Sequence, residues 1–350
     1  MTPKYDDHPD FNAELDADGA ITIAGAVFSR SRILFDLEQE TYRLALMDWQ
    51  RQRQEERREE LRTKVQDTLT LRANDTRFKE LVKVARNGGL VPFVGAGITK
   101  PCKMPMWTEF LILAGIQVGC DAVVTKQRLS LGEYEEVAEE LVTKMGPNWF
   151  NEHVERTFCQ DTPLTGPVLH IPRITDGCVI TTNFDDVLER AFTQFGNPFT
   201  EKIIGKSQTG FRKALMEKRR YLLKIHGDAK DRRGRVLTIA EYNDAYGGAS
   251  IDFTRELPKN LKTAFTYSTL LFLGCSLETD RTLKLFKQVV NDEGTDDLAR
   301  HYAILELPAV NVEERERFLT EHHIFPIWFP PKRFDVAEAL VALLAEMATC

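Results

Sequence analysis

Paired cysteines are missing from this chain. The six present (Cys102, Cys120, Cys159, Cys178, Cys275 and Cys350) are scattered and form no Cys-x-x-Cys motif. That excludes a structural zinc ribbon and argues against a disulfide framework, so a reducing cytoplasm is the expected setting. No apolar run reaches the roughly 18 residues a membrane span needs. The start, Met1-Thr2-Pro3-Lys4-Tyr5-Asp6-Asp7-His8, lacks the basic and apolar stretches of a secretory signal. Positive charge is in deficit, with a formal net charge of −7, so no direct nucleic-acid binding is expected. Metal-ligand spacing is also lacking: no His-Glu-x-x-His occurs, and the adjacent His322 and His323 cannot share one helix face. No metal is expected.

What remains is an ordinary globular composition, 43% hydrophobic and 28% charged over 350 residues. This is enough for one large domain with an appendage, or for two domains. Residues 1–75 read as a mainly helical N-terminal extension. Within it, Ala20 to Phe28 forms a short strand or hairpin arm that Gly25 interrupts. A helical pattern then runs from about Leu34 to Leu71 without Gly or Pro. Ile33, Leu37, Thr41 and Leu44 mark one stripe, and Leu61, Val65 and Leu69 continue it. The Arg- and Glu-rich stretch between them, Arg51 to Arg62, mixes both signs. It reads either as a solvated face or as an arm that packs on another subunit, and the second reading implies a homo-oligomer.

From residue 76 onward, short apolar runs alternate with helical stretches. The runs are Leu90–Val94, Cys178–Thr181, Tyr221–Ile225, Thr269–Leu273, His301–Leu307 and Ile324–Phe329. This predicts an α/β domain: a Rossmann-like parallel sheet with helices on both faces and a helical cap insertion over about residues 105–170. The polar residues of interest all follow such runs, where open α/β sheets bind ligands. Gly95-Ala96-Gly97-Ile98-Thr99 allows close backbone approach to a phosphate. It is not a full dinucleotide fingerprint, since Lys100 stands where a third glycine belongs, and a plain tight turn explains it equally well. Thr181-Thr182-Asn183-Phe184-Asp185-Asp186 either caps a helix or orients a ribose and an amide. His226, in Leu222-Leu223-Lys224-Ile225-His226-Gly227, is either structural or a general base near neutrality. Gly274-Cys275-Ser276-Leu277 repeats the pattern of small residues at a strand end, as a tight turn or as a ribose or phosphate contact.

Taken in order, these four segments resemble the sirtuin fold, and especially the sirtuin-like NAD hydrolases of bacterial antiphage defence systems. The resemblance spans roughly residues 80–350. It implies NAD as the substrate. Gly95, Ala96 and Gly97, with Thr99 in the same turn, match the motif that cradles its diphosphate. Asn183 matches the asparagine that positions the nicotinamide ribose and the attacking group, and Asp185 the aspartate that meets the carboxamide. His226 matches the general base, while Gly274 and Ser276 match the segment on the adenosine half.

The departures narrow this expectation. The zinc ribbon of sirtuin deacylases is missing. Pro101-Cys102-Lys103-Met104-Pro105-Met106-Trp107 replaces their arginine-containing segment, and Thr182 stands where they carry glutamine. No segment matches the strand that receives an acyl-lysine peptide. Water becomes the expected acceptor, with NAD cleaved to ADP-ribose and nicotinamide and depleted in abortive infection. A protein deacylase and a non-catalytic NAD- or ADP-ribose-sensing subunit stand as alternatives. By the resemblance, relatives act with a DNA-translocating ATPase, an Argonaute-type protein or further domains on the same chain, and a separate hexameric ATPase is the partner expected first.

Overall fold

A computed structural model of the chain describes residues 4–205, 210–278 and 280–348; Cys350 and the first three residues lie outside them. The chain divides into a unit of residues Met1–Thr63 and one of Lys64–Cys350.

The smaller unit holds helices Pro9–Asp16 and Arg30–Leu37 around a hairpin of β1 (Ile21–Ile23) and β2 (Ala26–Phe28). Ala24 and Gly25 take φ of 48° and 86°, the two positive values that a tight type I′ connection requires. Gly25 therefore makes the hairpin rather than interrupting it. Phe11, Tyr42 and Leu46 form a small core with Tyr5, Phe35 and Trp49 packed on it. The helical pattern from Leu34 is not continuous. It breaks at Glu38 (φ −133°, ψ 57°), and a new helix spans Gln39–Leu69. The break changes the register, so the stripe expected through Leu37 and Leu44 does not exist. Those residues are 75% and 50% exposed, while Tyr42 and Leu46 turn inward. Further along, Val65 is buried as its spacing predicts. Residues beyond Thr63 pack within the larger unit: the buried Asn74 donates to the Thr68 and Trp328 carbonyls, both at 2.7 Å, and accepts from the Trp328 amide.

In the larger unit, seven described strands form one parallel sheet. They are β3 (Leu90–Val94), β4 (Cys178–Thr181), β5 (Glu201–Ile204), β6 (Tyr221–Lys224), β7 (Thr269–Leu273), β8 (His301–Glu306) and β9 (Ile324–Phe329). Their order is β5-β6-β4-β3-β7-β8-β9. Helices cover both faces, so β3, β4, β6 and β7 are buried along their whole length. That is why they read as unbroken apolar runs. The edge strand β5 begins with two exposed charged residues, and no apolar run announces it.

The cap consists of helices Trp107–Gln117, Ala122–Ser130, Tyr134–Met145 and Pro147–Phe158. Phe110, Leu141, Phe150 and Phe158 build its core, and Phe184, Ala229 and Leu237 from the loops after β4 and β6 complete it. The cap is thereby seated on the carboxyl ends of the strands.

At β3 the chain leaves toward β4 on one side and later returns as β7 on the other. The loops after β3 and β7 meet backbone to backbone at their glycines. Gly95 donates its amide to the Leu273 carbonyl at 2.8 Å, and Gly97 to that of Gly274 at 3.0 Å. A Cβ on Gly95 would lie 2.6 Å from the Gly274 carbonyl oxygen, and one on Gly274, where φ is +67°, 2.5 Å from the Ile98 nitrogen. Both approaches are shorter than carbon atoms tolerate. Gly274→Ala is expected to cost about 1–3 kcal/mol through overpacking and the left-handed backbone; thermal unfolding measures it, and an unchanged midpoint would refute the interlock.

Candidate active site

A cavity of about 740 Å³ opens between the strand ends and the cap. Gly95, Ala96, Asn183, Asp185, His226, Gly274 and Ser276 all line it. Four separate strand-end segments thus converge on one space. Gly97 and Thr99 stand behind this lining. Gly97 serves the contact with Gly274, and Thr99 supports the two side chains in front of it. A larger opening of about 1550 Å³ lies at the other end of β3 and β4, beside Leu90 and Cys178, and includes none of these residues.

The turn after β3 is more committed to the protein than a free anion cradle. The amides of Gly95, Gly97, Ile98 and Thr99 all donate to protein carbonyls. The two glycines therefore serve first to let β3 and β7 loops meet.

Asn183 is buried just beyond β4. Its Nδ2 donates to Thr99 Oγ1 at 3.2 Å and faces the Gly95 carbonyl at 3.5 Å. Its Oδ1 is buried and has no hydrogen-bond partner among the described residues. Such an acceptor is costly unless a ligand or water supplies the donor. Asp185 Oδ1 accepts from the Val187 amide at 3.1 Å, and Oδ2 from Thr99 Oγ1 at 3.2 Å. One carboxylate oxygen thus holds the first amide of the following helix, Val187–Gln194, while the residue lines the cavity.

Burial raises the Asp185 carboxyl to a pKa of about 6, although Lys224 nearby works in the opposite direction. Burial also lowers His226 to about 4, so its imidazole is neutral at physiological pH. The neighbouring Asp228 is held down at about 2: burial works to raise it, but Lys224 and the Lys230 amide outweigh that.

Several residues of the site carry no strand-end signal in the sequence. The Tyr242 hydroxyl lies 3.3 Å from His226 Nε2. Its ring is covered by the Arg281 guanidinium at 5.4 Å. Arg281 in turn makes a two-pronged bond to Glu135 of the cap, at 2.8 and 2.6 Å. Arg235, also buried, joins the loop after His226 to Asn151 of the cap at 2.7 Å. Only the fold brings these positions together. One clue was legible: Thr238 and Glu241 form a capping box that starts a helix just before Tyr242. Among the described residues, no three His, Cys, Asp or Glu side chains lie together as a metal site requires. No described helix is long and apolar enough to cross a membrane.

Residues 177–327 match the family model of the SIR2-like domain. That span includes Asn183, Asp185, His226, Gly274 and Ser276, but not the Gly95 turn. Defense-associated sirtuin 2 of Bacillus subtilis is 30% identical over 203 residues, which make up 57% of this chain and 19% of that protein. The chain therefore spans about a fifth of that relative's length. Among solved structures, a Sir2 homologue mutant in complex with ADP-ribose matches with 15% identity and a TM-score of 0.37, over 77% of this chain and 96% of the other.

Among the perturbed groups that line the cavity, Asp185 and His226 act oppositely on stability. In the fold Asp185 holds its proton up to about pH 6, against 3.8 ordinarily; His226 loses its proton near 4, against 6.5. Between about pH 4 and 6, folding binds a proton at Asp185 and releases one at His226, so their effects on the slope of stability against pH offset each other. Asp280, which burial also raises to about 6, takes up a proton in the same window; Asp185→Asn removes the uptake at Asp185, so the variant's folded state binds fewer protons than wild type's. The variant's melting temperature should drop further than wild type's between about pH 7 and about pH 4.5. Equal drops would refute the opposition.

Proposed function

We propose that this sirtuin-like chain hydrolyses NAD, taking NAD and water to ADP-ribose, nicotinamide and a proton. The observation that carries the reading is the convergence of Asn183, with its unpartnered buried Oδ1, and His226 on one capped cavity at the carboxyl ends of a parallel sheet. Breaking the nicotinamide–ribose bond builds positive, oxocarbenium-like charge on the ribose, and nicotinamide leaves as a neutral molecule. The site then has to hold the ribose, place one water and keep other acceptors out.

Asn183 is suited to the first two tasks. Its Nδ2 is tied to Thr99, which fixes the amide plane and aims Oδ1 as an acceptor for a ribose hydroxyl or the attacking water. His226 accepts the proton that water or the ribose gives up. Its depressed basicity keeps the lone pair available, and the negative diphosphate of a bound dinucleotide raises that basicity again. Asp185 is assigned to the carboxamide. At neutral pH its carboxylate takes a hydrogen bond from the amide nitrogen. Trp107, Phe158 and Phe184 give the cavity an aromatic wall beside it. Ala96 and Gly274 to Ser276 are assigned to the diphosphate and adenosine half, with Gly95, Gly97 and Thr99 shaping the turn beneath.

His226→Ala and Asn183→Ala are each expected to remove nicotinamide release by about 10²-fold or more while leaving a folded protein. Product analysis of purified protein with NAD tests this, and full NAD loss in either variant would overturn the assignment. NAD consumed only with an acylated peptide would instead indicate a deacylase. Ligand binding without nicotinamide release under any condition would indicate a sensor.

The name of the Bacillus subtilis relative points to defence, and we assign this chain to NAD depletion during phage infection in the cytoplasm. An unrestrained NAD hydrolase would poison its own cell, which calls for gating by a homo-oligomer or by a partner such as a DNA-translocating hexameric ATPase. The N-terminal unit is the proposed arm for self-association. Removing residues 1–63 should lower the oligomeric mass measured by light scattering, and an unchanged mass would remove that role.

A further inference from the structure

One charged side chain sits at the end of a strand that is otherwise wholly apolar. Lys224 closes β6 and is 0% exposed. An ammonium in such a place is costly unless it is well partnered, and this one has four acceptors. Its Nζ donates to the carbonyls of Asp185 at 2.6 Å and Phe184 at 3.2 Å, and reaches Asp228 Oδ2 at 2.9 Å and Glu189 Oε1 at 3.3 Å. Phe184 and Asp185 follow Asn183 directly. Asp228 lies two residues after His226. A single side chain therefore hooks the loop that carries Asn183 to the loop that carries His226. The Ala229 amide adds a second tie, donating to the Phe184 carbonyl at 3.0 Å. Lys202 from edge strand β5 braces Asp228 from outside at 3.1 Å. Lys224 does not line the cavity.

We propose that Lys224 is a positioning residue, which sets Asn183 and His226 at working distance by pulling both loops onto one buried ammonium. The proposal rests on the NAD-cleaving reading for its kinetic consequence and on the loop geometry alone for its structural one. A methionine has nearly the same length and would fill the space. What it cannot do is orient two backbone carbonyls and two carboxylates toward one point. Displacing a reacting group by about 1 Å costs on the order of 10²-fold in rate.

The test uses the full chain. Lys224→Met combined with Asp228→Asn removes one cation and one carboxylate, which leaves Lys202 to pair with Glu189 at 3.4 Å, and the side-chain carbonyl introduced by Asp228→Asn still accepts from the Lys230 amide. Its kcat for nicotinamide release should fall about 10²-fold with KM changed less than about 3-fold. Asp228→Asn alone loosens only the His226 side and should lower kcat about 10-fold. Either variant folded with kcat within about 2-fold of wild type would overturn the proposal. So would failure of both to fold, because Lys224 would then serve the fold at large.

Should wild type release no nicotinamide, with or without an acylated peptide, the reaction reading falls by itself. Hydrogen exchange then decides the loop geometry. The Ala229 amide should exchange at least about 10-fold faster in the double variant while the β3 and β7 amides stay protected. Unchanged Ala229 protection would overturn the positioning role.

Discussion

The contact between the loops after β3 and β7 is the constraint on which the rest of this structure depends. Gly95 and Gly97 press against Gly274 with no side chain between them. This holds the sheet's two halves together at the point where the strand order reverses. Thr99, at the end of the same turn, then stands where it can support both Asn183 and Asp185. A wider approach of the two loops would move that hydroxyl away from the two side chains it orients. The glycines thus shape the candidate site from behind as much as they make room for a ligand.

Around that contact the electrostatics are divided by depth. The outer surface carries many exposed ion pairs, each of small consequence. Beneath the cavity, Lys224, Lys202, Asp228 and Glu189 form a network in which cations and carboxylates balance around one wholly buried ammonium. Asp185 and His226 face the cavity itself, and burial pushes both toward their neutral forms. This network lies just below the site, while the cavity is lined by the Glu135–Arg281 ion pair, an uncharged base, an orphaned amide oxygen and a carboxyl whose ionisation lies within reach of neutral pH.

The cap is tied to this arrangement by polar links as well as by its aromatic core. Arg235 reaches Asn151, and Arg281 reaches Glu135 while lying over the ring of Tyr242. Tyr242 in turn meets His226. The seating of the cap and the environment of the imidazole are consequently one problem, joined through a tyrosine and an arginine.

Local chemistry was enough to read the buried strands, the glycine turns and the residues that follow each strand, because a parallel sheet covered on both faces demands unbroken apolar runs and ends them toward one crevice. Lys224 stands out in the sequence only as a charge closing such a run, and nothing local says that two loops fold onto it. The hairpin's Gly25 and the helix break at Glu38 were misread, because a φ above zero and a change of helical register leave little trace in apolar spacing. Edge strand β5 was missed because an exposed edge has no apolar run to show. The tertiary structure alone decided that Thr99 stands behind Asn183 and Asp185, that Tyr242 meets His226, and that Glu135 and Arg281 close the cap over them. Those contacts join residues far apart in the chain, and distance in space is set by strand order and helix packing, which no local pattern encodes.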